Sequence, residues 1–202
     1  MALLDITVLG HPMLRRETQL VTHVTPELRR LVDDMFDTMY AARGIGLAAP
    51  QVNRGERVAV VDVEKRPIVL INPRIVARQG KVSGEEGCLS IPEVYAEVQR
   101  AATVTVEALD LELEPFTLEA TGLLGRCLQH EIDHLHGKLF LDHLSLLKRR
   151  AALRDWDEER DRYPELLRKL TPEVLAELQA EDETGEAGPE VAVPEQGPAR
   201  PA

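Results

Sequence analysis

The sequence predicts an α+β fold, in which a group of strands packs against separate helices. Residues 103–108 alternate Thr103, Thr105 and Glu107 with Val104, Val106 and Ala108, and Phe116, Leu118 and Ala120 resume that period after a turn at Pro115. An apolar residue at every second position marks a half-buried strand. Leu28, Leu31, Val32, Met35 and Met39 instead recur at the spacing of one helix face. A second helical pattern, around Gln129 to His134, follows the strands and should pack against their sheet.

The elements follow in order. Thr25, Pro26 and Glu27 open the first helix with an N-cap hydroxyl, a proline at the first helical position and an acid near the positive end of the dipole. Gly44 is placed to stop it. Residues 44–51 are small, are interrupted by Pro50, and read as a loop. Strand-like runs follow at residues 58–63 and 68–71. Residues 81–90 are punctuated by glycine and hold Glu85, Glu86, Gly87 and Cys88. Thr121 can cap the helix that carries the histidines, and Gly137 can end it. From Ser145 a further helix should run up to Pro164, rich first in Lys148, Arg149, Arg150 and Arg154 and then in acids. Thr171, Pro172 and Glu173 open a short last helix with Val174, Leu175 and Leu178.

A chain of 202 residues suits one domain with an appendage. Its apolar fraction of 44% with only 3% aromatics implies an aliphatic core. The net charge of −11 argues against a general nucleic-acid binder, which needs a broad basic face. Residues 181–202 set six acids against Arg200 and are rich in Pro and Gly, so they cannot bury enough to offset ordering and should be disordered. Two cysteines are too few for a disulfide-held secreted scaffold, no signal peptide opens the chain, and no apolar run approaches the roughly 20 residues of a membrane span. Together these features predict a cytoplasmic protein that does not enter a membrane.

The chemistry concentrates in Gln129-His130-Glu131-Ile132-Asp133-His134. Residues four apart share a helix face, so His130 and His134 can hold one metal ion together. Glu131 stands where a carboxylate can take a proton from water activated at that metal. A catalytic metal usually takes a third protein ligand. His136 lies about 200° round the helix from His134 and points away. Cys127 shares the face of the two histidines, although three ligands from one helix must converge sharply. Cys88 comes from a different element and closes the shell more naturally. Spacing leaves both cysteines open, with His11, His23, His143 and the carboxylates behind them.

Three blocks, residues 44–51 (Gly-Ile-Gly-Leu-Ala-Ala-Pro-Gln), residues 86–90 (Glu-Gly-Cys-Leu-Ser) and residues 129–134 (Gln-His-Glu-Ile-Asp-His), resemble the three signature motifs of the peptide deformylases, in that family's order and at similar spacing. The resemblance extends from about Val8 to about Lys148. It implies antiparallel sheets around a central helix that carries the histidines. On this reading residues 1–147 are the catalytic domain, 148–180 a helical extension and 181–202 an acidic tail.

The resemblance also implies one ferrous ion per chain on Cys88, His130 and His134, with nickel, cobalt or zinc able to substitute. Glu131 would serve as general base and then acid, and Gln51 and the Leu89 N–H would donate to the formyl oxygen. Ile45, Gly46, Glu86, Gly87, Leu123 and Cys127 would form the methionine pocket, with His130 part of its wall. Arg100 and Asp133 match positions that pair in relatives. The implied reaction removes the formyl group from the N-terminal formyl-methionine of nascent polypeptides and releases formate. Tyr95 departs from a cation found in some relatives. The basic cluster from Lys148 to Arg154 is either a solvated helix face or a ribosome contact, with no free nucleic acid as partner. His11, His23 and His143 read as surface or structural residues.

Two other functions compete. A zinc peptidase on the same helix would recruit Glu158 or Glu159 downstream, which leaves the blocks at 44–51 and 86–90 unexplained. A binding protein that kept only the fold would not need Gln51, Cys88, Glu131 and both histidines together.

Overall fold

The computed structural model describes residues 2–184. In chain order its strands are β1 (Ile6–Thr7), β2 (Gly46–Ala48), β3 (Val58–Val63), β4 (Arg66–Gln79), β5 (Val82–Cys88), β6 (Ile91–Arg100), β7 (Thr103–Leu109), β8 (Pro115–Thr121) and β9 (Leu167–Arg168). The helices are α1 (Pro26–Ala41), α2 (Gly122–Leu135), α3 (Leu146–Glu159) and α4 (Pro172–Thr184).

Strand β3 is apolar except at Asp62 because both of its faces are covered. Val58 and Val60 pack with Leu31, Met35 and Met39 of α1, whereas Ala59, Val61 and Val63 pack with Leu128, Ile132 and Leu135 of α2. β3 belongs to a five-stranded sheet of order β2-β3-β4-β7-β8 in which every neighbour is antiparallel. The alternation of Val104 and Val106 on β7 turns them toward α2, as the two-residue period predicts. β5 and β6 form a separate antiparallel hairpin whose Ile91, Val94 and Val98 pack with Trp156 and Ala152 of α3. Helix α2 is buried on nearly every side between these layers. The α+β arrangement of antiparallel sheets around the histidine-bearing helix is therefore the one the chain adopts.

Several local expectations change. The glycine-punctuated residues 81–90, given no element by the sequence, are mostly β5, and β6 pairs with them although its sequence was not read as a strand. Pro92 interrupts the apolar alternation of β6 at its start, and the signal at Val94 and Val98 is short. Gly44 is not the left-handed residue that ends α1. Arg43 takes that conformation at φ 60, and the Gly44 N–H closes the helix by donating to Met39 O at 2.8 Å. Thr121 stands at the N-cap of α2, yet its hydroxyl makes no capping bond, because β8 runs straight into the left-handed Gly122. Gly137 does close α2 as expected, at φ 66.

Thr25 caps α1 through Leu28 N, and Ser145 caps α3 through Lys148 N. Helix α3 ends at Glu159 rather than Pro164 and gives way to short turns. Helix α4 runs to Thr184, four residues into the segment expected to be disordered, and residues 185–202 of that segment lie outside the described residues. No helix among the described residues is long and apolar enough to cross a membrane.

Candidate metal centre and active site

His130 and His134 leave α2 on one face, and their Nε2 atoms are 3.2 Å apart. Cys88, the last residue of β5, brings its Sγ to 3.3 Å from His134 Nε2. The three ligand atoms lie within 4.8 Å of one another. One thiol and two imidazole nitrogens converging on a point fit a borderline divalent metal. Cys127, the rival third ligand, stays outside the trio and turns its Sγ to Ile45 O at 3.5 Å. Glu158 and Glu159 are also absent from it, and Glu159 is paired with Arg162.

The surroundings of the trio are ordered for metal binding. Glu86, two residues before Cys88 and separated from it by an irregularity in the β5–β6 register, accepts from His130 Nδ1 at 3.1 Å. That bond places the imidazole proton on Nδ1 and leaves the Nε2 lone pair toward the trio. Burial alone would raise the Glu86 carboxyl, but hydrogen bonds from Arg100 and His130 outweigh it and hold the group far below the usual carboxylate range. Arg100 donates through Nε and Nη2 at 2.8 and 2.9 Å, and Arg126 Nη1 adds a third bond at 2.7 Å. Arg100 also reaches Asp133, the pair the resemblance implied, and Asp133 in turn faces His143 Nε2 at 2.7 Å. Burial pushes His134 well below its ordinary value, which keeps it neutral and able to ligate.

Glu131 projects from α2 beside this trio and is 4% exposed. Burial pushes its carboxyl up to about 7. Its Oε2 is buried without a hydrogen-bond partner, and so is His134 Nδ1. An unpartnered buried carboxylate oxygen is costly unless something outside the chain uses it. Gly46 of β2 makes room for it. A Cβ at Gly46 would lie 2.4 Å from Glu131 Oε1 and 2.8 Å from Cys127 Sγ.

Gln51 sits in a buried turn after β2. Its Oε1 accepts from Ala48 N at 2.8 Å, which aims Nε2 at Ser90 Oγ, 3.2 Å away, and at Cys88 Sγ, 3.6 Å away. A cavity of about 300 Å³ opens over these groups. Gly46, Gln51, Cys88, His130 and Glu131 form part of its wall; Ile45, Leu123 and Cys127 add apolar surface, and Glu86 and Gly87 of β5 border it with Leu89 of the turn that follows. Of the residues the sequence singled out for the site, only His134 does not line the cavity, being 1% exposed behind the other ligands.

Comparison with known proteins agrees with this geometry. The family model described as polypeptide deformylase matches residues 3–150. The chain belongs to the polypeptide deformylase family. It is 52% identical over 158 residues to a peptide deformylase of Alkalilimnicola ehrlichii, covering 76% of this chain and 89% of that protein. It is 51% identical to a peptide deformylase of Nitrosococcus oceani, covering 80% of this chain and 98% of that one. Among solved structures, a peptide deformylase from Legionella pneumophila matches with a TM-score of 0.76 at 48% identity, over 79% of this chain and 96% of that chain. Another, from Synechococcus elongatus in complex with actinonin, matches with a TM-score of 0.73 at 44% identity, over 75% and 86%.

Within this deformylase-family enzyme, four residues matter that the sequence does not single out. Arg126 holds Glu86 and also donates to Val98 O at 3.0 Å, so it ties α2 to the β5–β6 hairpin. An arginine in the otherwise apolar run from Leu123 to Leu128 was the available signal, since a buried guanidinium demands partners. Ser90 receives the Gln51 amide. Arg168 and Leu178 line the cavity from beyond the family-matched region, and no motif marks them. The other histidines point elsewhere: His136 meets Glu17 at 2.6 Å, His11 caps a turn through Met13 N, and His23 contacts Thr22.

Proposed function

We propose that this chain removes the formyl group from the N-terminal formyl-methionine of newly made polypeptides and releases formate. The observation that carries the reading is the Cys88, His130 and His134 trio, with the unpartnered Glu131 oxygen beside it at the wall of a cavity that Ile45, Leu123 and Cys127 also line. Cys88, His130 and His134 hold one metal ion per chain, ferrous iron in the cell, with nickel, cobalt or zinc as substitutes. When bound, the metal supplies Lewis acidity that makes water a nucleophile near neutral pH and polarises the formyl carbonyl.

The chain's own residues do the rest. Glu131, raised toward neutrality by burial, takes a proton from the attacking water and returns it to the departing amine, so one carboxylate serves both halves of the reaction. Gln51 Nε2 and the Leu89 N–H donate to the formyl oxygen as negative charge builds there. The Ala48 N–H holds the Gln51 amide in the orientation this requires. Gly46 lets the substrate approach the backbone of β2. Ile45, Leu123 and Cys127 take the methionine side chain, with Glu86, Gly87 and His130 closing the pocket. Burial and the nearby Glu131 hold the Cys127 thiol well above its ordinary value, so it stays a small neutral lining group.

The enzyme works in the cytoplasm on nascent chains. Its basic α3 residues offer a ribosome contact through Arg150, while Lys148 and Arg149 are engaged by Glu97 and Asp142. Residues 1–147 act as the catalytic domain, with 148–180 as a helical extension. The test offers iron-loaded protein N-formyl-methionyl and N-acetyl-methionyl tripeptides and measures formate together with peptide-bond cleavage. Formate release from the first, with both peptide chains left intact, is the expected result. Internal cleavage would replace this reading with a peptidase.

A further inference from the structure

The family match stops at residue 150, yet the catalytic cavity does not. After α3 the chain returns to the domain and adds the two-residue β9 to β1, with Arg168 opposite Ile6 and Leu167 opposite Thr7. The Val8 N–H donates to Leu166 O at 2.9 Å and extends that junction. Helix α4 follows almost at once. Arg43 Nη1 donates to Leu178 O at 3.3 Å, which ties α4 to the turn between α1 and β2. That turn carries Gly44 and Ile45, themselves part of the cavity wall. Two independent attachments therefore bring Arg168 and Leu178, both half-buried, to the cavity that holds Glu131 and Gly46.

We propose that Arg168 and Leu178 form an outer wall of the peptide cleft and set its preference for the residues that follow formyl-methionine. The proposal rests on the deformylase reading. A substrate whose formyl carbon lies beside Glu131 and whose methionine side chain fills the pocket at Cys127 must send the rest of its chain outward. An extended peptide advances about 3.3 Å per residue and turns alternate side chains to opposite sides, so a wall near the mouth meets some positions and not others. Leu178 gives an apolar side chain something to pack on. Arg168 presents guanidinium donors to peptide carbonyls, which every nascent chain carries. Both residues lie beyond the family-matched segment, and relatives that lack α4 would lack the Leu178 side of this wall.

The test measures kcat/KM of the full iron-loaded chain on N-formyl-Met-Ala and on N-formyl-Met-Ala-Leu-Ser. The variants are Leu178→Ala, Leu178→Asp and Arg168→Gln, with thermal melting to verify folding. The expected result is a fall of about three- to tenfold in the ratio of tetrapeptide to dipeptide kcat/KM, expressed in KM, as befits loss of one or two apolar contacts. Leu178→Asp should fall furthest. A folded variant with the wild-type ratio would overturn the proposal. An equal rise of kcat/KM on both substrates would also overturn it, since α4 would then be an obstruction and not a binding wall. Absence of activity in wild-type protein on either peptide would instead remove the deformylase reading, so the two failures are distinct.

Discussion

At the scale of single residues, room is as decisive as charge. Glu131 is buried, raised to about 7 and missing a partner on Oε2, and it occupies the space a side chain at position 46 would need. Gly46→Ala should therefore displace the carboxylate and lower kcat/KM by about 100-fold, the size of effect that a displacement near 1 Å produces. Steady-state kinetics would check this, and an unchanged rate would mean that Glu131 has space the structure does not give it. Most of these residues were legible: Gln51, Cys88, His130, Glu131 and His134 come from motifs whose spacing survives in the linear sequence. Cys88 over Cys127 was not settled by spacing, because helix position alone puts Cys127 on the ligand face; the structure separates them by turning Cys127 to Ile45 O. Arg126 left a signal only as a charge in an apolar run; its role was not legible, since its partners Glu86 and Val98 come from strands that only the fold brings near.

At the scale of elements, the site depends on how β5 meets α2. Glu86 is the joint, with two arginines and His130 on one carboxylate that is itself 4% exposed. Glu86→Gln removes the charge that two buried guanidiniums answer to, and breaking such a pair costs about 3–5 kcal/mol. Urea unfolding should show that loss, and loss of the oriented His130 Nδ1 bond should weaken metal affinity by about 10–100-fold in a chelator competition. A variant as stable and as metal-avid as wild type would mean that Arg100 is sufficiently answered by Asp133. The helices were readable from their spacing and end signals, β3 from its apolar run, and β7 and β8 from their two-residue period. β6 was not, because Pro92 breaks its start and its inward residues Val94 and Val98 are few. The end of α1 was misassigned by one residue, since glycine preference pointed to Gly44 while Arg43 takes the left-handed position.

At the scale of the whole molecule, ion pairs and short strands join distant segments. Asp142 accepts from Leu139 N at 2.9 Å, pairs with Arg15 near the N-terminus and faces Arg149 of α3 at 3.4 Å. Burial would raise its carboxyl, but Arg15 outweighs that and lowers it. A carboxyl lowered on folding stabilises above its unfolded value of about 3.9 and loses that contribution as the pH falls through the folded one. Asp142→Asn should thus cost about 1 kcal/mol at pH 7 and progressively less as the pH falls through the lowered folded value, read from thermal melts at neutral and acid pH. An equal cost at both would assign the effect to shape and not to charge. The return of the chain through β9 was invisible in sequence, because a two-residue strand has no period to detect, and with it went the placement of Arg168 and Leu178.

The most direct test compares metal content and formate release for wild type and Glu131→Gln, both purified anaerobically with ferrous iron. The substitution keeps the side-chain shape and leaves Cys88, His130 and His134 in place while removing the proton acceptor. One iron per chain in each protein, with release reduced by at least about 100-fold in the variant, is the expected result. Comparable release from both proteins would contradict the assignment of Glu131 as the base, and no release from folded, iron-loaded wild type would contradict the deformylase reading itself.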